Sequence, residues 1–190
     1  MKKEDIITLP HPHLREKSKK VTAADDISQL VRDMTDASLD WEDSRPHEIS
    51  AALAAVQINR LERVVIVRGS FDDKSNREFI TLINPEIVKY EGSIVDDYEG
   101  CLSVSNIYGK VSRHSRIRLR ALDENGNEIR FKADGFLARV IQHEVDHING
   151  ILFVDHIKDQ KDAFYTLNDK GELDPLDYDT HIAANSVLWD

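Results

Sequence analysis

The stretch Gln142-His143-Glu144-Val145-Asp146-His147 constrains this chain more than any other. With about 3.6 residues per helical turn, side chains four apart stack on one face. A helix here sets His143 and His147 side by side, close enough to grip one metal ion, with Glu144 one step round and within reach of a water on that ion. This His-Glu-x-x-His arrangement supplies two ligands and a general base. Amphipathic helices with histidines and acids on a solvated face carry the same letters, so the reading requires a third ligand from elsewhere in the chain. The helix is well marked. Asp134 offers an N-cap, the helical run is Gly135 to Ile148, and Asn149-Gly150 is a stop.

Around this helix the pattern predicts mostly strands. Residues 63–68, 78–83, 86–90, 93–98, 110–113, 116–122 and 128–132 are short and rich in β-branched residues, with Asn84-Pro85 as a break and Asp123 to Asn127 as a hairpin turn. Ile27, Leu30, Val31, Met34, Ala37, Ser38 and Trp41 have helical spacing, with Thr22, Asp25 and Asp26 as candidate caps. The polar stretch Glu42 to His47 follows as a loop. Residues 6–15, with two prolines, read as an extended arm whose His11 and His13 are loop side chains. The run from Ser50 to Asn59 reads as a packed alanine-rich helix, and Ile151 to Val154 as a buried strand or turn. Gln57 stands out there, because an amide in apolar company must find a partner or pay about 1–3 kcal/mol in desolvation. The expected class is α+β, antiparallel strands packed around a central helix that carries the motif. At 190 residues one domain is expected over 1–190, with 158–190 as a variable acidic tail holding a weak hairpin near Asn168 to Gly171 and a short terminal helix.

The net charge of −10 disfavours DNA, RNA phosphate and anionic membranes as partners, and no apolar run reaches the ~20 residues of a membrane helix. A cytoplasmic setting is expected. It agrees with the single cysteine, Cys101, which excludes an internal disulfide. A lone cysteine is by itself a small buried hydrophobe. Set beside His143 and His147, it becomes the third ligand of a catalytic site, three protein donors with a fourth position left to water.

At this point the sequence resembles the peptide deformylases. Glu99-Gly100-Cys101-Leu102-Ser103 and Gln142 to His147 match two of the family's segments without departure. Ser50 to Gln57 matches a third, with Ser50 and Ala52 where the family has glycine, and Leu9-Pro10 to Leu14-Arg15 is similar to its amino-terminal arm. The resemblance covers about residues 6 to 155 and implies removal of the formyl group from N-formylmethionyl peptides. By that resemblance Cys101, His143 and His147 hold one divalent metal, ferrous iron in the cell, with zinc, nickel or cobalt also accepted. Glu144 moves the proton, Gln57 and the Leu102 N–H stabilise the oxyanion, and Glu99, Gln142 and Asp146 orient ligands or hold neighbouring backbone. Ala52, Leu53, Gly100 and Tyr108 are expected at the substrate cleft. Tyr108 stands where many members have an arginine that contacts the peptide, and Ser105 where they have proline. Transient ribosome contact is a further expectation. Two rivals remain at this stage. One is a peptidase of the His-Glu-x-x-His type with Asp155 or His156 as third ligand, and the other is a non-catalytic relative that binds peptide termini.

Overall fold

Neighbours, rather than alanine's preference for helix, decide the run 50–59. In the computed structural model, which describes residues 1–22, 25–45 and 48–189, Ala52–Ala54 form strand β1 and Ala55–Ile58 a short 3-10 turn. β1 pairs antiparallel with β2 (Val64–Arg68), Ala52 opposite Val67 and Ala54 opposite Val65. Alanine gains only about 0.5 kcal/mol per residue in a helix over its competitors, less than the ~1 kcal/mol net of each ladder hydrogen bond together with burial.

The sheet continues through β3 (Phe79–Cys101), β4 (Val104–Leu122), β5 (Glu128–Asp134), β6 (Phe164–Leu167) and β7 (Leu173–Pro175). The strand order is β1-β2-β3-β4-β6-β7, with β5 also paired to β4 and every ladder antiparallel. Asn84-Pro85, expected to break the chain, does not end β3. A register shift between Ile83 and Glu86 places both residues in an irregularity, where a proline's missing donor costs no ladder bond. Asn84 takes φ 52° there and its amide pairs with both backbone groups of Val21, at 2.9 and 2.8 Å.

Helix α1 (Ser28–Asp43) buries the expected stripe of Leu30, Met34, Ala37 and Ser38. Of the candidate caps, Asp26 accepts the Ser28 N–H at 2.9 Å. The helix runs further than expected, so Glu42 lies buried in its last turn instead of in a loop. The Pro46 and His47 of that expected loop fall outside the described residues. Helix α2 (Gly135–His147) carries the motif, and α3 (Phe153–His156) replaces the strand or turn expected over 151–154, with Asp155 accepting the Leu152 N–H at 2.7 Å.

β2 shows why the helices sit where they do. Its alternate side chains leave on opposite faces. Val64 and Ile66 pack with Leu30 and Met34 of α1, while Val65 and Val67 pack with Ala138, Ile141 and Val145 of α2. Each such side chain contributes about 1.5–3 kcal/mol when fully buried. The motif helix is thereby packed against the sheet, and the α+β class with antiparallel strands is the one the sequence predicts.

Beyond Lys158 the chain forms the expected hairpin, β6 and β7 joined by a turn in which Asn168 Oδ1 accepts the N–H groups of Lys170 and Glu172. One π turn (Asp179–Ala183) and one 3-10 turn (Ser186–Leu188) stand in place of the expected terminal helix. Phe164, Ile182 and Leu188 bury against Phe153 and Val154, which ties this segment to the back of the site. Among the described residues no helix is long and apolar enough to cross a membrane.

Candidate metal centre and cleft

Three segments far apart in the chain converge at the buried face of α2. Cys101 closes β3, and only Leu102 and Ser103 separate it from its cross-strand partner Val104. The Cys101 Sγ lies 3.1 Å from His147 Nε2, and one donor atom each from Cys101, His143 and His147 fall within 4.8 Å of one another. His143 Nδ1–H donates to Glu99 Oε2 at 2.9 Å, which fixes the ring so that its other nitrogen faces the sulfur.

The donor set fits a divalent ion. A thiolate and two imidazoles are soft and intermediate ligands of the kind that hold zinc or ferrous iron. Burial pushes His147 well below the usual histidine range and keeps it neutral, as a ligand must be. For His143, burial disfavours the imidazolium. The sulfur of Cys101 and the Glu99 carboxylate outweigh that effect and lift it, so an extra proton is favoured where a cation belongs. Glu144 Oε2 is buried without a hydrogen-bond partner, and burial pushes that carboxyl up to about 7, the setting of a group waiting for a water and its proton.

Glu99 is the keystone of the supporting shell. Arg113 grips it with Nε at 2.9 Å and Nη2 at 3.0 Å, and Arg139 Nη1 adds a third bond at 2.7 Å. Burial opposes its charge, but the hydrogen bonds from His143 and Arg113 hold it well below the usual carboxylate range. Arg139 also donates to the carbonyls of Val95 at 2.6 Å and Val111 at 2.8 Å, stapling α2 to β3 and β4. Asp146 accepts Arg113 at 2.5 Å and His156 at 2.7 Å. Gln142 faces the other way. Its amide pairs with both backbone groups of His114, at 3.2 and 2.9 Å, and so holds β4 rather than a ligand.

Neither arginine is singled out by the sequence, although the alternation of basic and apolar residues along 116–120 predicts a solvated face for Arg116, Arg118 and Arg120. That reading holds for Arg116, Arg118 and Arg120, which are exposed and paired with Asp134, Glu91 and Glu86. Arg113 differs by parity. It falls in the row of Val111, Ile117 and Leu119, all buried, and this period of two is the signal that separates it.

The cleft beside the centre has a volume of about 280 Å³, with Trp41, Ile49, Ala52, Tyr108 and Val140 among its walls and Gln57, Cys101, Leu102 and Glu144 at its floor. Leu53, expected there, points the opposite way into the α1 cluster, as strand alternation from Ala52 requires. Ser50 also turns from the cleft, its hydroxyl 2.5 Å from that of Ser38 on α1. Gly100 serves sterically. It lies opposite Tyr108 in the ladder, and a Cβ there would come within 2.8 Å of the Tyr108 Cδ1. Asp155 and His156 do not reach the metal donors. Asp155 pairs with Arg15 at 2.6 Å and His156 with Asp146, which removes the third ligand that the peptidase alternative needs.

A buried thiolate–imidazole donor set with an unpartnered glutamate beside it, on an α+β frame, defines a metal-dependent hydrolase of the His-Glu-x-x-His type. The polypeptide deformylase profile matches residues 3–163, and the chain belongs to that family. It is 40% identical over 171 residues to the peptide deformylase of Thermomicrobium roseum, covering 88% of this chain and 93% of the relative. A crystal structure of a peptide deformylase from Synechococcus elongatus in complex with actinonin superposes with a TM-score of 0.70 at 34% identity, over 82% of this chain and 80% of that one. A Met-Ala-Ser-bound class I type b peptide deformylase from Acinetobacter baumannii gives 0.68 at 28% identity, over 80% of this chain and 96% of the other.

Proposed function

We propose that this chain hydrolyses the formyl amide of N-formylmethionyl peptides with the residues just described, releasing formate and a free amino terminus. Cys101, His143 and His147 would hold the divalent ion, which supplies a Lewis acid and a water acidified from about 15.7 towards 7. We assign ferrous iron as the ion in the cell, with zinc or nickel accepted by the same donors. Glu144 takes the proton of the attacking water and returns it to the departing nitrogen as the carbon–nitrogen bond breaks. Its burial, which makes it basic, and its unpartnered oxygen support that role.

As the water oxygen adds to the formyl carbon, negative charge gathers on the formyl oxygen. Gln57 Nε2 and the N–H of Leu102 are the donors assigned to it, each worth about 3 kcal/mol in such a role. Glu99 keeps His143 in the ligating tautomer, and Asp146 keeps Arg113 against Glu99. The apolar walls beside Ala52, Gly100 and Tyr108 take the methionine and the backbone that follows it. The reaction is placed in the cytoplasm, on nascent chains and with only transient ribosome contact, since a net charge of −10 gives no lasting grip on RNA phosphate.

One observation carries this reading: the sulfur of Cys101 and one ring nitrogen from each of the two histidines of α2 lie within 4.8 Å of one another, a spacing that one ion can bridge. Metal content and formate release from formyl-Met-Ala test it, with Glu144→Ala as control. Metal retained and turnover lost in the variant is the expected result. Full turnover in Glu144→Ala, or no metal and no formate from the parent protein, overturns it.

A further inference from the structure

Ser103 is fully buried, and each of its polar groups is spent inside the site. Its N–H donates to Cys101 Sγ at 3.4 Å, its carbonyl accepts the Leu9 N–H of the amino-terminal arm at 3.0 Å, and its hydroxyl accepts Gln57 Nε2 at 3.2 Å. The arm holds Gln57 as well, through the Ile7 N–H on the Gln57 carbonyl at 2.8 Å. The sulfur ligand and the amide donor are therefore linked through one residue, the first by its backbone N–H and the second by its hydroxyl.

A carboxamide has an accepting end and a donating end, and a site that stabilises an oxyanion needs the donating end. The accepting end of Gln57 is taken, with Oε1 receiving the Ala54 N–H at 2.9 Å. Nε2 carries two hydrogens. One goes to Ser103 Oγ, and the other is directed at Cys101 Sγ, 3.6 Å away. The contact with the sulfur is the longer of the two, so the second hydrogen is the one given up to a developing oxyanion, while the first stays where it is and fixes the plane of the amide.

We propose that Ser103 is a positioning residue for the reaction: its hydroxyl holds one hydrogen of the Gln57 amide so that the other faces the metal side of the cleft. This rests on the oxyanion role assigned to Gln57 above. Replacing the hydroxyl leaves every ligand and every backbone group in place, so metal binding should survive while the aim of the donor is lost.

The test is a double-mutant cycle on the zinc-loaded protein with formyl-Met-Ala. Ser103→Ala should lower kcat by roughly 10-fold to 100-fold, the scale of a misaimed catalytic group, with KM changed less and zinc stoichiometry unchanged. Ser103→Cys, of similar bulk but with a poor acceptor, should fall in the same range. Gln57→Ala should lose about 10²–10³-fold, and the double variant should lose no more than Gln57→Ala alone. In 15N-labelled protein the two Gln57 side-chain amide protons should be well separated in the parent, because they face different acceptors, and should converge in both Ser103 variants. That readout does not depend on turnover.

Parent-like kcat in both Ser103 variants overturns the proposal, and so do losses that add in full to that of Gln57→Ala. Loss of zinc from both would make Ser103 a prop for Cys101 and overturn it equally. Full turnover in Gln57→Ala is a different result. It removes the oxyanion role first, and the inference with it.

Discussion

The hydroxyl of Tyr108 donates to the carboxylate of Glu48, joining β4 to the segment ahead of β1 across the mouth of the cleft. Burial and that carboxylate raise the phenol well above its usual range, so the bridge stays intact through neutral pH. A hydrogen bond to a charged group is worth about 1.5–3 kcal/mol, and a peptide that enters between Glu48 and Tyr108 would have to open it. Tyr108→Phe keeps the ring over Gly100 and removes the bridge. KM for formyl-Met peptides of four or more residues should fall by up to roughly 10-fold, with formyl-Met-Ala little changed. An unchanged ratio between long and short substrates would show that the bridge does not gate the mouth.

Beneath the same wall, Arg68 and Glu42 form an ion pair at 2.5 Å with side chains 0% and 1% exposed. Arg68 also donates to the carbonyls of Asn76 at 2.9 Å and Lys74 at 2.8 Å, and Glu42 accepts the Ser50 N–H at 2.9 Å. Removing one partner strands the other charge. Arg68→Ala should lose about 3–5 kcal/mol in urea unfolding, while Arg68→Met with Glu42→Leu should recover a large part of it. Equal losses in the single and double variants would contradict this account.

Metal retention separates Cys101 from His156. Cys101→Ala deletes a donor and should leave the purified protein with little metal. His156→Ala removes a partner of Asp146 and Arg113, outside the donor set, and should keep close to one ion per chain. Metal analysis of the two variants purified side by side decides it, and the opposite pattern would restore the peptidase reading.

On the outer face of the ribbon, hydrogen bonds from Arg118 and then Lys89 hold the Glu91 carboxyl down at about 2. A carboxylate with a lowered folded value stabilises fully above its ordinary value and loses that contribution as the pH falls through the folded one, here from about 4.5 to about 2. NMR titration of Glu91 should therefore give a midpoint well under 4, rising in Arg118→Gln and in ~1 M salt, because an exposed pair is screened. A midpoint near 4.5 in the parent protein would show that the pair does not persist in solution.

The helical half of the centre was legible in the sequence because its chemistry is local: helical spacing alone puts His143 beside His147 with Glu144 one step round, whereas Cys101 reaches them only through the long-range pairing of β3 with β4. The strands around it were legible from β-branched runs, apart from two places where long-range pairing overrode a local rule. The alanine run took the extended form because Val65 and Val67 were there to pair with it, and β3 ran through Pro85 because an irregularity absorbed it. Arg139 was not legible. Its partners are a carboxylate and three carbonyls on two strands, Val95, Asp97 and Val111, and nothing in the order of residues reports that convergence.

Only Leu102 and Ser103 turn the chain from β3 into β4, and the sulfur ligand sits at the first rung of that hairpin. In strands of alternating sides, one inserted residue would swing Val111, Arg113, Ile117 and Leu119 out to water and bring the lysine and arginines beside them inward. A change of length at this corner would disturb two things at once, because the spacing that aims the thiol also sets which residues of the nineteen-residue β4 face inward.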